Sequence, residues 1–262
     1  MIELRNREGK VLYQHTQDEQ SIGAALEAAI EDGVDLRQAV FDDMDLRETN
    51  CEGARLDGAS FRRSQLQGAN FERAQLAAAS FEAADLSDST FERAQLRACC
   101  FTGAHLDSTN FERACLDGAD LERARGQGAN FEDATLREAN LQHGEFRGAS
   151  FERCKLAGAR FAHAILERCN FEQVEAQSAD FTECNLSDAN LEHGRFDAAN
   201  FSRANLARAS GEHCSFRDAC LEHASMRDAR CEHASFAGAL LAHADIRGAE
   251  LDAAARSEFA AK

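Results

Sequence analysis

Histidines recur in this sequence at twenty-residue intervals. His193, His213 and His233 form one series and His223 and His243 another, with His143 and His163 at equivalent positions. Two imidazoles on neighbouring rungs could share a metal ion, but a tetrahedral or octahedral site takes three or four convergent ligands and supporting hydrogen bonds. A flat face offers little convergence, so no metal and no cofactor is expected. Protonated near pH 6, these histidines would neutralise part of an acidic surface.

Carboxylates share the interval. Glu52, Glu72, Glu92, Glu112, Glu132, Glu152, Glu172, Glu192, Glu212, Glu232 and Asp252 are all acidic, without a break. Paired carboxylates can perform acid-base chemistry, but on a convex surface they lack the cleft that would shift their pKa values. Of the ten cysteines, Cys99, Cys154, Cys169, Cys184 and Cys214 fall at small inward positions and Cys51 and Cys231 at large inward ones, while Cys100, Cys115 and Cys220 point outward. The inward thiols are best explained as small apolar residues. With no nucleophile motif or phosphate loop either, the chain is not read as an enzyme.

A twenty-residue interval requires an element that returns to the same face each time. Counting every fifth residue from Leu36 to Leu251 gives 44 positions, of which 17 are Phe and 20 are Leu. The exceptions are Cys51, Gly126, Ala176, Gly211, Met226, Cys231 and Ile246. Two residues before each the chain is nearly always small, as at Ala54, Ala69 or Cys99. A period of five fits neither a helix nor a flat strand. The chain must turn a corner every five residues, so that four pentapeptides close one square coil with the large residue inside and the small one in the corner. Stacked coils would lie about 4.8 Å apart. The absence of proline agrees, because each missing N–H would delete a rung. Gly126, Ala176 and Gly211 leave gaps in the core columns, to be met by a cavity, a defect or a bulge.

The phrases GANFERAQL, CNLSDANLEHGRF and AANFSRANLARAS resemble the A(D/N)LXX consensus of the pentapeptide repeat family. The resemblance implies an all-β fold, a right-handed quadrilateral β-helix of about eleven coils over residues 36–251. Some members bind DNA gyrase or topoisomerase IV as DNA mimics and confer antibiotic resistance. The quinolone-resistance members are dimers through their C-terminal ends, which implies a homodimer here, and several carry projecting loops that this chain lacks.

Ahead of the repeat, IELRN and VLYQH flank REGK as a hairpin. In SIGAALEAAIEDGVDL, Ile22, Leu26 and Ile30 share one helical stripe, with Gly33 at its end. Residues 1–35 are thus expected to cap the first coil. Residues 252–262 form a short tail or cap, in which Arg256 breaks the register and Phe259 is left to cover the last coil.

All eleven positions of this column are acidic, which distinguishes one face, since the equivalent positions elsewhere mix signs, as in Arg37, Asp57, Ala77 and Arg97. Like charges about 4.8 Å apart cost on the order of 1 kcal/mol per neighbouring pair in water before screening. Arg73, Arg93, Arg113 and Arg153 offset this in one half, whereas Gln173, His193, His213 and His233 follow the acids in the other. The net charge of -17 argues against direct binding to nucleic acid or an anionic membrane and for a basic protein surface as partner. Lacking an apolar leader or a spanning run, the chain is expected in the cytoplasm. The functional expectation is a protein-binding rod with partial DNA mimicry; the alternative is a structural scaffold with an unrelated partner. Duplicated coils that merely tolerate Glu outside would produce the same column.

Overall fold

The computed structural model describes residues 1–16 and 21–260. From Val40 to Glu250 every fifth residue forms a single parallel β-bridge with the residue twenty positions on, beginning with Val40 to Ser60 and ending with Arg230 to Glu250. Bridges every five residues in a register of twenty make four short rungs per coil.

A tight turn separates successive rungs. The N–H of each small residue donates to the carbonyl of the large residue three before it, as from Ala74 to Phe71 at 3.0 Å and from Ala94 to Phe91 at 2.9 Å. The corner therefore lies between the large and the small residue, both of which are buried. The second residue after the large one has a positive φ throughout, near 57° at Arg73, Arg113 and Gln173, as at the third residue of a type II turn. That conformation costs an L residue about 1–2 kcal/mol. Stacking compensates it: the N–H of Arg73 donates to the Glu92 carbonyl, and that of Arg93 to the Glu112 carbonyl, each at 2.9 Å.

Inside, phenylalanines stack in columns. Phe71, Phe91 and Phe111 follow one another with ring centroids 4.8 and 5.1 Å apart, and Phe61, Phe81 and Phe101 do so at 5.0 and 5.1 Å. The two columns meet edge to face, as between Phe81 and Phe91 at 5.5 Å and 85°. Where Leu121 and Leu141 interrupt the second column, Phe146 enters from a neighbouring one and meets Phe131 and Phe151 edge to face at 6.1 Å. The gap at Gly126 holds this ring, since a Cβ there would lie 2.8 Å from Phe146 Cδ1. Phe196 and Phe216 make the corresponding substitution beside Leu191 and Gly211, edge to face with Phe201 at 5.5 and 5.7 Å. A Cβ on Gly211 would meet Cys231 Sγ at 3.1 Å, and Ala176 is fully buried. The unequal core positions are thus a change of column by the aromatic rings.

At the front, β1 (Ile2–Arg5) pairs antiparallel with β2 (Val11–His15), Ile2 opposite His15. The Val40 N–H donates to the Arg5 carbonyl at 2.9 Å, joining this hairpin to the first rung. Helix α1 (Ile22–Glu31) begins at Ser21, whose Oγ accepts from the Ala24 N–H, and Gly33 turns away from its end at φ 68°. Ala25, Leu26 and Ala29 are buried in one cluster with Leu36 and Phe41, while Ile22 and Ile30 are only partly buried. At the back, helix α2 (Ala253–Ala260) starts where the Asp252 carboxylate accepts from the Ala255 N–H at 2.8 Å. Arg256 stands where a large inward residue was due, and instead donates to the Leu251 and Ala249 carbonyls at 3.1 and 3.4 Å. Phe259 packs on Phe236 at 5.1 Å.

Candidate protein-binding face

The acidic residues occupy the first outward position of successive turns on one side of the rod. Their carbonyls are links in the turn-to-turn ladder: Gln173, His193 and His213 donate their N–H groups to Glu192, Glu212 and Glu232 at 2.9, 3.0 and 3.1 Å. This registers Glu52, Glu72, Glu92, Glu112, Glu132, Glu152, Glu172, Glu192, Glu212 and Glu232 coil by coil, with Asp252 at the start of α2. Glu52 and Glu232 are exposed and the others half-buried.

Asparagines two residues earlier fix the local conformation. Asn70, Asn110, Asn130, Asn170 and Asn190 accept from the N–H of Glu72, Glu112, Glu132, Glu172 and Glu192 at 2.9–3.1 Å. Their amides also link coils, Asn130 to Asn110 and Asn190 to Asn170, both at 3.1 Å. Sequence reasoning overlooked these residues, although the recurrent Asn before Phe in GANFE was a signal: an Asn side chain readily caps a turn two residues on.

Charge divides the face in two. Arg73 pairs with Glu52 and Glu72 at 3.1 and 3.0 Å, Arg93 with Glu92 at 3.3 Å, and Arg113 with Glu112 at 2.9 Å. Arg153 pairs with Glu132, Glu152 and Asp133. Its guanidinium holds the Asp133 carboxyl below the usual carboxylate range. Among the described residues, Glu172, Glu192, Glu212 and Glu232 make no ion pair with lysine or arginine. Amides serve Glu172 instead and a hydroxyl serves Glu192, where Ser210 Oγ donates at 2.6 Å.

The histidines stand beside these unpaired acids. His193 and His213 stack at 5.1 Å with planes 2° apart, and His213 and His233 at 5.0 Å and 15°. His143 stacks on His163, and His223 on His243, at 4.9 and 4.8 Å. A metal bound by an imidazole lies in the ring plane, and stacked parallel planes share no such point. Among the described residues no group of three or more His, Cys, Asp or Glu converges on a metal position. All seven have positive φ, a conformation in which His is enriched.

The thiols are structural. Cys154, Cys169, Cys184 and Cys214 donate to carbonyls one coil below at 2.7–2.8 Å. Burial pushes the Cys169, Cys184 and Cys231 thiols up to about 12. The arrangement can present charge and shape. Among the described residues, no helix is long and apolar enough to cross a membrane.

The sequence matches two family models, the pentapeptide repeat region over residues 74–151 and 145–215, and pentapeptide repeats (8 copies) over 23–63, 54–93 and 224–255. Among solved structures, HetL, a pentapeptide repeat protein involved in heterocyst differentiation regulation from the cyanobacterium Nostoc sp. strain PCC 7120, is 25% identical. The match covers 90% of this chain and 99% of that chain at a TM-score of 0.41. A trypsin-treated form of QnrB1, a plasmid-mediated fluoroquinolone resistance protein, is 19% identical, with 85% of this chain and 95% of that chain covered at 0.36. A pentapeptide repeat protein from the thylakoid lumen of Arabidopsis thaliana is 30% identical over 34% of this chain and 66% of its own, at 0.28. No curated protein matches the sequence.

Proposed function

We propose, from the premise that this chain belongs to the pentapeptide repeat family, that it is a rigid cytoplasmic rod that binds a protein partner and catalyses no reaction. Residues 36–251 make about eleven right-handed coils, β1, β2 and α1 close the front, and the tail from residue 252 closes the back or joins a second copy. The acidic column from Glu52 to Asp252 is the binding face. The observation that supports this is the unpaired half: Glu172, Glu192, Glu212 and Glu232 stack without a guanidinium, a costly arrangement unless something basic binds there.

The first partner to test is DNA gyrase or topoisomerase IV, whose DNA-binding groove is basic. Seventeen net charges along about 50 Å give roughly one per 3 Å, against about one per 1.7 Å for duplex DNA, so the mimicry is partial. A supercoiling assay with purified gyrase, with and without ciprofloxacin, compares wild type with a variant carrying Gln at residues 172, 192, 212 and 232. No effect of wild type at micromolar concentration removes gyrase as the partner; equal effects of both proteins remove the acidic column.

A scaffold for an unrelated basic partner is the second reading. The uninterrupted ladder from Val40 to Glu250, with no inserted loop, favours it.

A further inference from the structure

The histidines at 193, 213 and 233 occupy the positions that arginine takes at 73, 93, 113 and 153. The same backbone site carries a fixed positive charge in one half of the face and a titratable one in the other. We infer that this histidine column is a proton-controlled counter-charge that releases a basic partner from Glu172, Glu192, Glu212 and Glu232 on acidification. This rests on the acidic face being the binding surface.

Charged groups of both signs surround the column. Each ring follows a glutamate directly, Glu192, Glu212 and Glu232 respectively. Below the column lie Gln173 and Glu172, and above it the Asp252 carboxylate stands 3.9 Å from His233 Nδ1. On the strand beside it, Glu175 bridges Arg195, followed by Ser215 and Ser235. On the other side are the neutral Asn190 and Ser210 and then Arg230, which donates to Ser210 Oγ at 3.2 Å. Carboxylates thus outnumber guanidinium groups around the rings. The stacked rings stand about 5 Å apart, so that positive charges on neighbouring rings would repel one another. In the neutral state the rings stack and these glutamates have no lysine or arginine partner. In the charged state Glu192, Glu212 and Glu232 each acquire a neighbouring cation, as Glu72 has in Arg73.

The test uses an N-acetylated ten-residue oligolysine peptide, whose charge is constant between pH 8 and pH 5.5, at low ionic strength, where surface charge is least screened. Its affinity is measured at both values for wild type, for a triple variant with His193→Asn, His213→Asn and His233→Asn, and for the variant with Gln at residues 172, 192, 212 and 232. Asn accepts the left-handed backbone of these turns, so the rod is retained. The expected result is an affinity loss on the order of tenfold on acidification in wild type and less than about twofold in the triple variant. Equal losses in the two overturn the inference while leaving the acidic face in place. If the Gln variant binds as wild type does at pH 8, or wild type does not bind at all, the acidic face itself is wrong and the inference falls with it.

Discussion

Phe146 stands over Gly126, one coil below, so closely that a methyl on the glycine would lie 2.8 Å from ring atom Cδ1. The ring fills the space that every regular coil gives to leucine in that column. Gly126→Leu should therefore destabilise the rod by about 1–3 kcal/mol, the usual cost of overpacking. Adding Phe146→Leu restores the regular column, and thermal denaturation of the two single variants and the double should show a recovery of on the order of 1 kcal/mol. Simple additivity would mean that the two residues do not share the space.

Phe111 is fully buried between Phe91 and Phe131, at centroid distances of 5.1 and 4.9 Å. Phe111→Ala removes a member from the middle of the stack, with no space for water and little freedom to collapse. The expected loss is about 3–5 kcal/mol in denaturant unfolding. A loss under about 1 kcal/mol would show that the column relaxes around the gap.

Asp35 has its carboxyl held at about 2, against an ordinary 3.8, chiefly by the Arg37 guanidinium at its side. A depressed folded-state pKa contributes stability above about pH 4 that is lost as pH falls towards 2. The pair is more than a third exposed, which limits the effect to less than about 1 kcal/mol. Thermal melts between pH 5 and pH 2 should fall less steeply for Asp35→Asn than for wild type; parallel curves would assign the acid sensitivity to other groups.

Thiol chemistry separates the cysteines by burial. Cys51, Cys99, Cys154, Cys169, Cys184, Cys214 and Cys231 are buried and their thiols pushed up, so the reactive thiolate is scarce at pH 8. Native protein exposed to iodoacetamide should acquire label by mass spectrometry at Cys100, Cys115 and Cys220 alone. Rapid labelling of Cys169 or Cys184 would reveal coils that open on the timescale of alkylation.

The period of five was legible because inward residues must be apolar wherever they fall, and Phe71, Phe91 and Phe111 repeat that demand coil after coil. The vertical alignment of the acids and histidines followed from it. The left-handed residue of each turn was not legible, because Arg73, Ala78, Gln173 and His193 all adopt it. There the ladder imposes the conformation and side-chain preference has little say. Nor could Gly126 announce its partner: the ring that fills its place lies twenty residues on, in a position the period marks as ordinary. In the candidate face, the acids and arginines were legible as alternating types, while the division between paired and unpaired halves depended on which side chains reach across coils, as Arg153 does to Glu132.

Each coil of the repeat touches only its neighbouring coils, as Asn110 bridges Asn130 and Phe111 stacks on Phe131. Such a molecule behaves as a one-dimensional array with nearest-neighbour coupling. Pulled from its two termini, it should peel from an end, releasing twenty residues and up to about 70 Å of contour with each step. The mechanical record would then be a regular sawtooth, with its irregular teeth where Phe146 and Phe196 change columns.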